Sequence, residues 1–193
     1  MATLLLTMRG TPQMYYGEEL GMRTTDPARI EDVHDPIGKL GWPKEKGRDG
    51  ERTPMQWNSS KEAGFTTAAK TWLPIPPSAS QDNVATEKED PNSIFNAYKL
   101  LLALRKSEPA LRDGSYKAVN EDDQNVFAYL RKAEGSTVLV ALNMSGDART
   151  ISIKGVHGST ATALYQSPAS STAEVQLDHI TLAPFGVVVA RVP

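Results

Sequence analysis

Two arginines, two adjacent glutamates, a His-Asp pair and three tryptophans are the residues of this chain whose types and placing could do chemistry. Arg48 and Arg52 flank Asp49-Gly50-Glu51 in a run that continues Thr53-Pro54-Met55-Gln56-Trp57. A guanidinium offers fixed N–H donors that suit vicinal hydroxyls or a carboxylate. Its plainer use in such a loop is an ion pair with Asp49 or Glu51. Glu18 and Glu19 follow Gln13-Met14-Tyr15-Tyr16, a run that reads as a short strand ended by Gly17. Neighbours on a strand point to opposite faces, so at most one of the two glutamates addresses a given site. His34-Asp35 has the make-up of a metal or acid–base pair, yet a lone pair of this kind in a loop is read as a surface turn. Trp42, Trp57 and Trp72 have aromatic faces suited to stacking on sugar rings, although loop core is the preferred reading for Trp57 and Trp72. His157 and His179 lie in a strand-rich region without Cys or clustered carboxylates and are read as structural. Glu121-Asp122-Asp123 reads as a solvated acidic turn. No metal and no cofactor is expected.

Composition narrows the function classes. The 193 residues carry 21 Lys+Arg against 23 Asp+Glu, a formal charge of −2, with no basic stripe for a phosphate backbone. Nucleic acid is therefore not an expected partner. With no cysteine there is no disulfide framework, no thiolate metal site and no Cys nucleophile. No apolar run approaches the roughly 18–20 residues that span a bilayer, so no membrane partner is expected either. Met1-Ala2-Thr3-Leu4-Leu5-Leu6 lacks the positive start of a signal peptide and reads as the tail of a buried helix. The compartment and the oligomeric state stay open.

The elements that must position these residues fall into three textures. Thr3 to Met8 is core-helix material, and Gly10 with Pro12 breaks it before the strand-like run, one helix-to-strand step of an α/β fold. Residues 23–89 are polar, rich in Pro and Gly, and nearly free of periodicity. A loop this long is functional or disordered, and Trp42, Trp57, Phe65 and Trp72 argue for an ordered loop with buried aromatics. A helix then starts with Asp90 as N-cap and Pro91 at the first helical position. Ile94, Phe95, Tyr98, Leu101, Leu102 and Arg105 mark its buried face, Pro109 ends or bends it, and Gly114 closes the segment. From Ser115 onward the period becomes that of short strands at 126–130, 137–142, 150–153, 161–165, 174–177 and 186–192, the rhythm of an antiparallel sandwich.

The run Gly10-Thr11-Pro12-Gln13-Met14-Tyr15-Tyr16-Gly17-Glu18-Glu19-Leu20-Gly21-Met22 resembles glycoside hydrolase family 13, the α-amylase family. Gly47-Arg48-Asp49-Gly50-Glu51-Arg52-Thr53-Pro54-Met55-Gln56-Trp57 is similar to the loop after the eighth barrel strand in exo-acting α-glucosidases, oligo-1,6-glucosidases and trehalose-processing relatives. Asp35-Pro36-Ile37-Gly38-Lys39, Trp42-Pro43, Trp72-Leu73-Pro74 and Asp90-Pro91-Asn92-Ser93 extend the likeness.

The resemblance implies a fold of α/β plus all-β type. Residues 1–114 would be the C-terminal part of a (β/α)8 catalytic barrel, with its last strand, long loop and last helix, and 115–193 an antiparallel β-sandwich domain. It implies a retaining α-glucosidase acting on terminal α-linked glucose of oligosaccharides. An isomerase or transglucosylase of the trehalose-synthase kind uses the same loop motif. It also implies an Arg that closes the non-reducing end of the sugar pocket, which makes Arg48 the first substrate-binding candidate and Arg52 the second. Glu19 is the third, against a reading in which a Glu at this point ties the strand to its loop. Tyr15-Tyr16 would pack in the barrel wall, with Tyr16 nearest the pocket floor. The three carboxylates of family catalysis lie upstream of the matched segment, so no catalytic residue is expected here, and the chain by itself is expected to be a truncated piece and inactive. A rival reading makes it a non-catalytic β-sandwich that binds glucan through exposed aromatics among Tyr116, Phe127, Tyr129, Tyr165 and Phe185.

Overall fold

The computed structural model describes residues 1–156 and 158–193, so the reading of His157 lies outside the described residues. By contacts the chain divides into two compact units, Met1–Gln13 with Tyr98–Pro193, and Met14–Ala97. Among the described residues no helix is long and apolar enough to cross a membrane.

The first unit is built on strands β1 (Ser115–Ala118), β2 (Val126–Ala133), β3 (Ser136–Asn143), β4 (Arg149–Ile151), β5 (Thr160–Ser167), β6 (Glu174–Gln176), β7 (Ile180–Leu182) and β8 (Val187–Val192). Six of them form one antiparallel sheet in the order β1-β2-β3-β8-β5-β6, and β4 pairs with β7 in a second. The sequence run Val138-Leu139-Val140-Ala141-Leu142 is apolar at every position because β3 is covered on both faces. Leu139 and Ala141 join Ile151, Ile180 and Leu182 in the core between the two sheets. Val138, Val140 and Leu142 face the other way and pack with Tyr129, Ala110 and Leu111. The strands β1, of four residues, and β7, of three, lie outside the runs expected from the sequence. Of the aromatics here, Tyr129 is fully buried, while Tyr116 and Phe185 are exposed.

Helix α1 (Ala2–Thr7) lies in the same unit and brings its C-terminal carbonyls to two arginines. Arg105 donates to the carbonyls of Leu6 (2.8 Å), Met8 (3.0 Å) and Gly10 (2.5 Å). Arg131, fully buried on β2, donates to Thr7 (2.5 Å), Gly114 (3.0 Å) and Ser115 (3.2 Å), all main-chain carbonyls. Helix C-termini leave carbonyls without intrahelical partners, and a cation there also meets the negative end of the helix dipole. The hydroxyls of Thr7 and Tyr129 lie 2.6 Å apart and complete the joint. Burial pushes the Arg131 pKa down, helped by the like charge of Arg105.

The second unit holds α2 (Pro36–Gly41), α3 (Val84–Glu89), the start of α4 (Ile94–Ser107) and several single 3-10 turns. Helices α2 and α3 are structure that the polar, aperiodic run of 23–89 conceals. The strand expected at 13–16 is not formed. Among the described residues no strand pairs with this segment, and an extended stretch without a ladder gains nothing from β geometry. Helix α4 begins at Ile94, later than expected, and Ser93 caps it by accepting from Asn96 N–H at 3.1 Å. Asp90 is instead occupied at the end of α3, where the Asn96 amide donates to the carbonyls of Glu87 (3.0 Å), Lys88 (3.2 Å) and Asp90 (2.8 Å). Of the face expected to be buried on α4, Tyr98 and Leu101 are, whereas Ile94 and Leu102 are exposed. The helix ends at Ser107, and Pro109 opens the short helix α5 (Pro109–Asp113) at a position where its missing N–H costs nothing.

Replacing Arg131 by Met leaves three carbonyls without their donor, at about 1–3 kcal/mol each where burial is retained. Arg131→Met is expected to destabilise by at least about 3 kcal/mol, lowering the melting temperature by roughly 6–12 °C. Arg131→Lys recovers less than half of that loss, because one ammonium cannot reach three divergent carbonyls. Thermal unfolding followed by circular dichroism checks both. A loss within error for the Met variant would show that water replaces the guanidinium at no cost.

Candidate functional site

The loop that carries Arg48 is closed by two buried aspartates: Asp49 holds the backbone of Asp35, and Asp35 that of Arg48. Asp35 caps α2 by accepting from Ile37 N–H at 3.0 Å, with Pro36 at the first helical position. The same carboxylate accepts the Arg48 main-chain N–H at 3.0 Å and its Nε–H at 2.8 Å, with Nη2 at 3.4 Å from the other oxygen. Asp49 in turn accepts the N–H groups of His34 (2.6 Å) and Asp35 (2.9 Å). Both aspartates are buried. The turn between them needs Gly47, whose φ of +72° favours glycine and whose Cβ, if present, would stand 2.8 Å from Gly38 N.

Arg48 is thus positioned by Asp35, and not by Asp49 or Glu51 as the plainer sequence reading supposed. Asp49 instead accepts two backbone donors on Oδ2, the N–H groups of His34 and Asp35. The Arg48 side chain remains 54% exposed, so its outer N–H groups are available. Arg52 shares the same acid, its Nη1 3.9 Å from Asp35 Oδ2. Tyr16 joins this cluster, donating its hydroxyl proton to Thr53 O at 2.9 Å. Burial pushes the Tyr16 phenol up, Tyr15 adds to that, and Arg52 works against it.

Glu19 is not brought to this cluster. It sits in a 3-10 turn, Glu18–Leu20, where no strand end exists, and its carboxylate accepts the Gly17 N–H at 2.9 Å. Its field is felt at Glu87, whose carboxyl is pushed up chiefly by burial while accepting the Phe95 N–H at 2.9 Å. Tyr15 and Tyr16 are exposed with ring centroids 4.9 Å apart, so neither packs in a wall within this chain. Trp57, Phe65 and Trp72 are also exposed, a correction to the loop-core reading. The loop is closed by polar bonds at Asp35 and Asp49, which order it without covering its aromatics. Trp42 is half-buried and carries the Lys46 ammonium 3.7 Å from its ring centroid. His34 turns from any acid–base pairing with Asp35 to stack on Trp72, centroids 4.6 Å apart. Among the described residues no group of three or more His, Asp or Glu is arranged to hold a metal.

Sequence reasoning missed Asp35 as the partner of Arg48. The signal was the Asp-Pro-x-Gly helix start, since an N-cap aspartate has a second oxygen to offer. The Arg48 guanidinium bond, and then the Ile37 N–H, hold the Asp35 carboxyl well below the usual carboxylate range. A depressed folded-state pKa gives stabilisation that is complete above the ordinary value of 3.8 and lost as the pH falls below it. The loop is therefore expected to open in acid below that value. Asp35→Asn removes the acid step and speeds hydrogen exchange at the Ile37 and Arg48 amides by at least about tenfold at neutral pH. Unchanged exchange in that variant would dismiss Asp35 as the closure of the loop.

Residues 1–114 match the family described as "Alpha amylase, catalytic domain", and residues 116–189 match "Maltogenic Amylase, C-terminal domain". The chain is 42% identical to the oligo-1,6-glucosidase of Halalkalibacterium halodurans, over 76% of this chain and 29% of that protein. It is 39% identical to the oligo-1,6-glucosidase of Parageobacillus thermoglucosidasius, over 75% of this chain and 29% of that protein. It thus spans about three-tenths of the length of the curated relatives it matches. The crystal structure of trehalulose synthase from Pseudomonas mesoacidophila superposes with a TM-score of 0.83 at 31% identity, covering 100% of this chain and 37% of that one. The described architecture is accordingly a portion of an α-amylase catalytic domain followed by an antiparallel β C-terminal domain. The chain belongs to the α-amylase family, glycoside hydrolase family 13.

Proposed function

We propose that this chain is the C-terminal segment of a retaining α-glucosidase that removes terminal α-linked glucose from oligosaccharides. In this reading residues 1–114 complete the catalytic barrel and 115–193 form the domain that follows it. The observation that carries the proposal is Arg48, fixed on a buried carboxylate yet half-exposed, in a chain of this family. A guanidinium oriented in that way offers parallel donors to adjacent sugar hydroxyls at little further loss of side-chain freedom. Arg52 lies on the same acid, and Glu19 offers its second oxygen from a separate position.

The reacting groups are not supplied by these aspartates. Retention uses one carboxylate as nucleophile and a second as acid, about 5–5.5 Å apart. Asp35, with its pKa held low and its oxygens bonded, is a poor acid, and Asp49 is sealed beneath the loop. The nucleophile, the acid and the third carboxylate come in this reading from the rest of the catalytic domain, whose strands also pair with residues 13–16. A second reading, glucosyl transfer within the substrate, is favoured by the close superposition on a trehalulose synthase. The two differ in how well water is kept from the glucosyl intermediate.

Arg48→Ala in the complete enzyme is expected to lower kcat/KM for an aryl α-glucoside more than tenfold with little change in melting temperature. That corresponds to about 1.4 kcal/mol or more of transition-state binding. A change under twofold takes Arg48 out of the site. The 193-residue chain alone is expected to show no turnover, and measurable hydrolysis by it would refute the placement of the reacting acids. Sucrose as substrate separates the two readings: glucose and fructose mark the hydrolase, an isomeric disaccharide the transferase.

A further inference from the structure

We propose that Trp72, backed by His34, is a stacking platform for a glucose ring beside the Arg48–Arg52 donors. Only the α-linkage of the sugar rests on the reading above.

The platform is built by its neighbours. Leu73 is 1% exposed and anchors the segment, and Thr71 Oγ1 donates to the Leu73 carbonyl at 2.5 Å. Trp72, between them, is left 69% exposed. Its ring is not loose. The His34 imidazole lies against it, centroids 4.6 Å apart and planes tilted by 36°. The His34 main chain is itself pinned, because its backbone N–H donates to the buried Asp49 at 2.6 Å. The next residue, Asp35, is the carboxylate that orients Arg48. The imidazole that backs Trp72 and the carboxylate that orients the guanidinium therefore stand on adjacent residues.

That combination has a chemical meaning. A pyranose has a C–H face that settles on an indole and a rim of hydroxyls that needs donors and acceptors. Asp32, two residues before His34, is held by Arg29 through bonds of 3.0 and 3.1 Å. An exposed tryptophan standing alone would need no explanation. One with a ring against its back has less rotamer freedom left to lose when a ligand binds.

The test uses the 193-residue chain, labelled so that its three indole N–H signals are resolved by NMR and assigned with Trp72→Phe. On titration with isomaltose the Trp72 signal is expected to move saturably in the millimolar range, with the Trp42 signal unmoved. In His34→Ala the response weakens at least fivefold, since the indole loses its support. A Trp72 signal that stays still up to about 50 mM isomaltose, or an undiminished response in His34→Ala, overturns the proposal. An equal response to cellobiose keeps the glucose platform and counts against the α-linked assignment alone. Failure of the Arg48→Ala kinetic test leaves this titration untouched, so the two readings fail separately.

Discussion

The carboxylate of Asp35 closes the long loop of residues 33–53, and the ordered part of the site depends on it. One side chain collects the N-terminus of α2, the main chain and guanidinium of Arg48, and the edge of Arg52. A buried carboxylate without such partners would be driven to protonate, because desolvation penalises its charged form. Here the bonds outweigh that penalty, and the group stays ionised. Asp49 repeats the device in reverse by holding the backbone of His34 and Asp35. The loop therefore needs little regular structure to be ordered.

The unit built on strands solves the complementary problem with a cation. Arg131 is buried and meets main-chain carbonyls on every arm, where a carboxylate would be the usual companion. Carbonyls at the ends of α1 and α5 are already obliged to find donors, so one guanidinium answers two requirements at once. Anion on amide groups in one unit and cation on carbonyl groups in the other are the same solution. Each ties together segments that hydrophobic contact alone would leave imprecisely placed. Glu108, buried and bonded to Ser136 and Arg191, adds a conventional ion pair to the same sheet.

Much of this was legible in the residues. The strand rhythm from Val126 to Val192 follows from alternation and turn residues; that β3 is covered on both faces came from the structure. Arg48 stood out because the resemblance implies an Arg in this loop and a guanidinium suits vicinal hydroxyls. What escaped the sequence depends on partners distant in the chain. The run at 13–16 has strand composition, but a strand is a relation between segments, and among the described residues none pairs with it. Asp90 and Ser93 are both good caps, and the choice between them was made by Asn96 reaching back to the end of α3. Trp57 and Trp72 suggested core from their area alone, while the bonds that order the loop are polar and leave those rings outside. Asp35 was read only as part of a surface turn, so neither its cap bond nor the use of its second oxygen was foreseen.

The anchoring of α1 also sets an order of events during synthesis. The bond from Arg131 to Thr7 spans 124 residues, and that from Arg105 to Leu6 spans 99. At about 5–20 residues per second, Leu6 and its neighbours are synthesised roughly 6–25 s before Arg131. The carbonyls of Leu6 and Thr7 thus wait for these donors until α4 and β2 have been made.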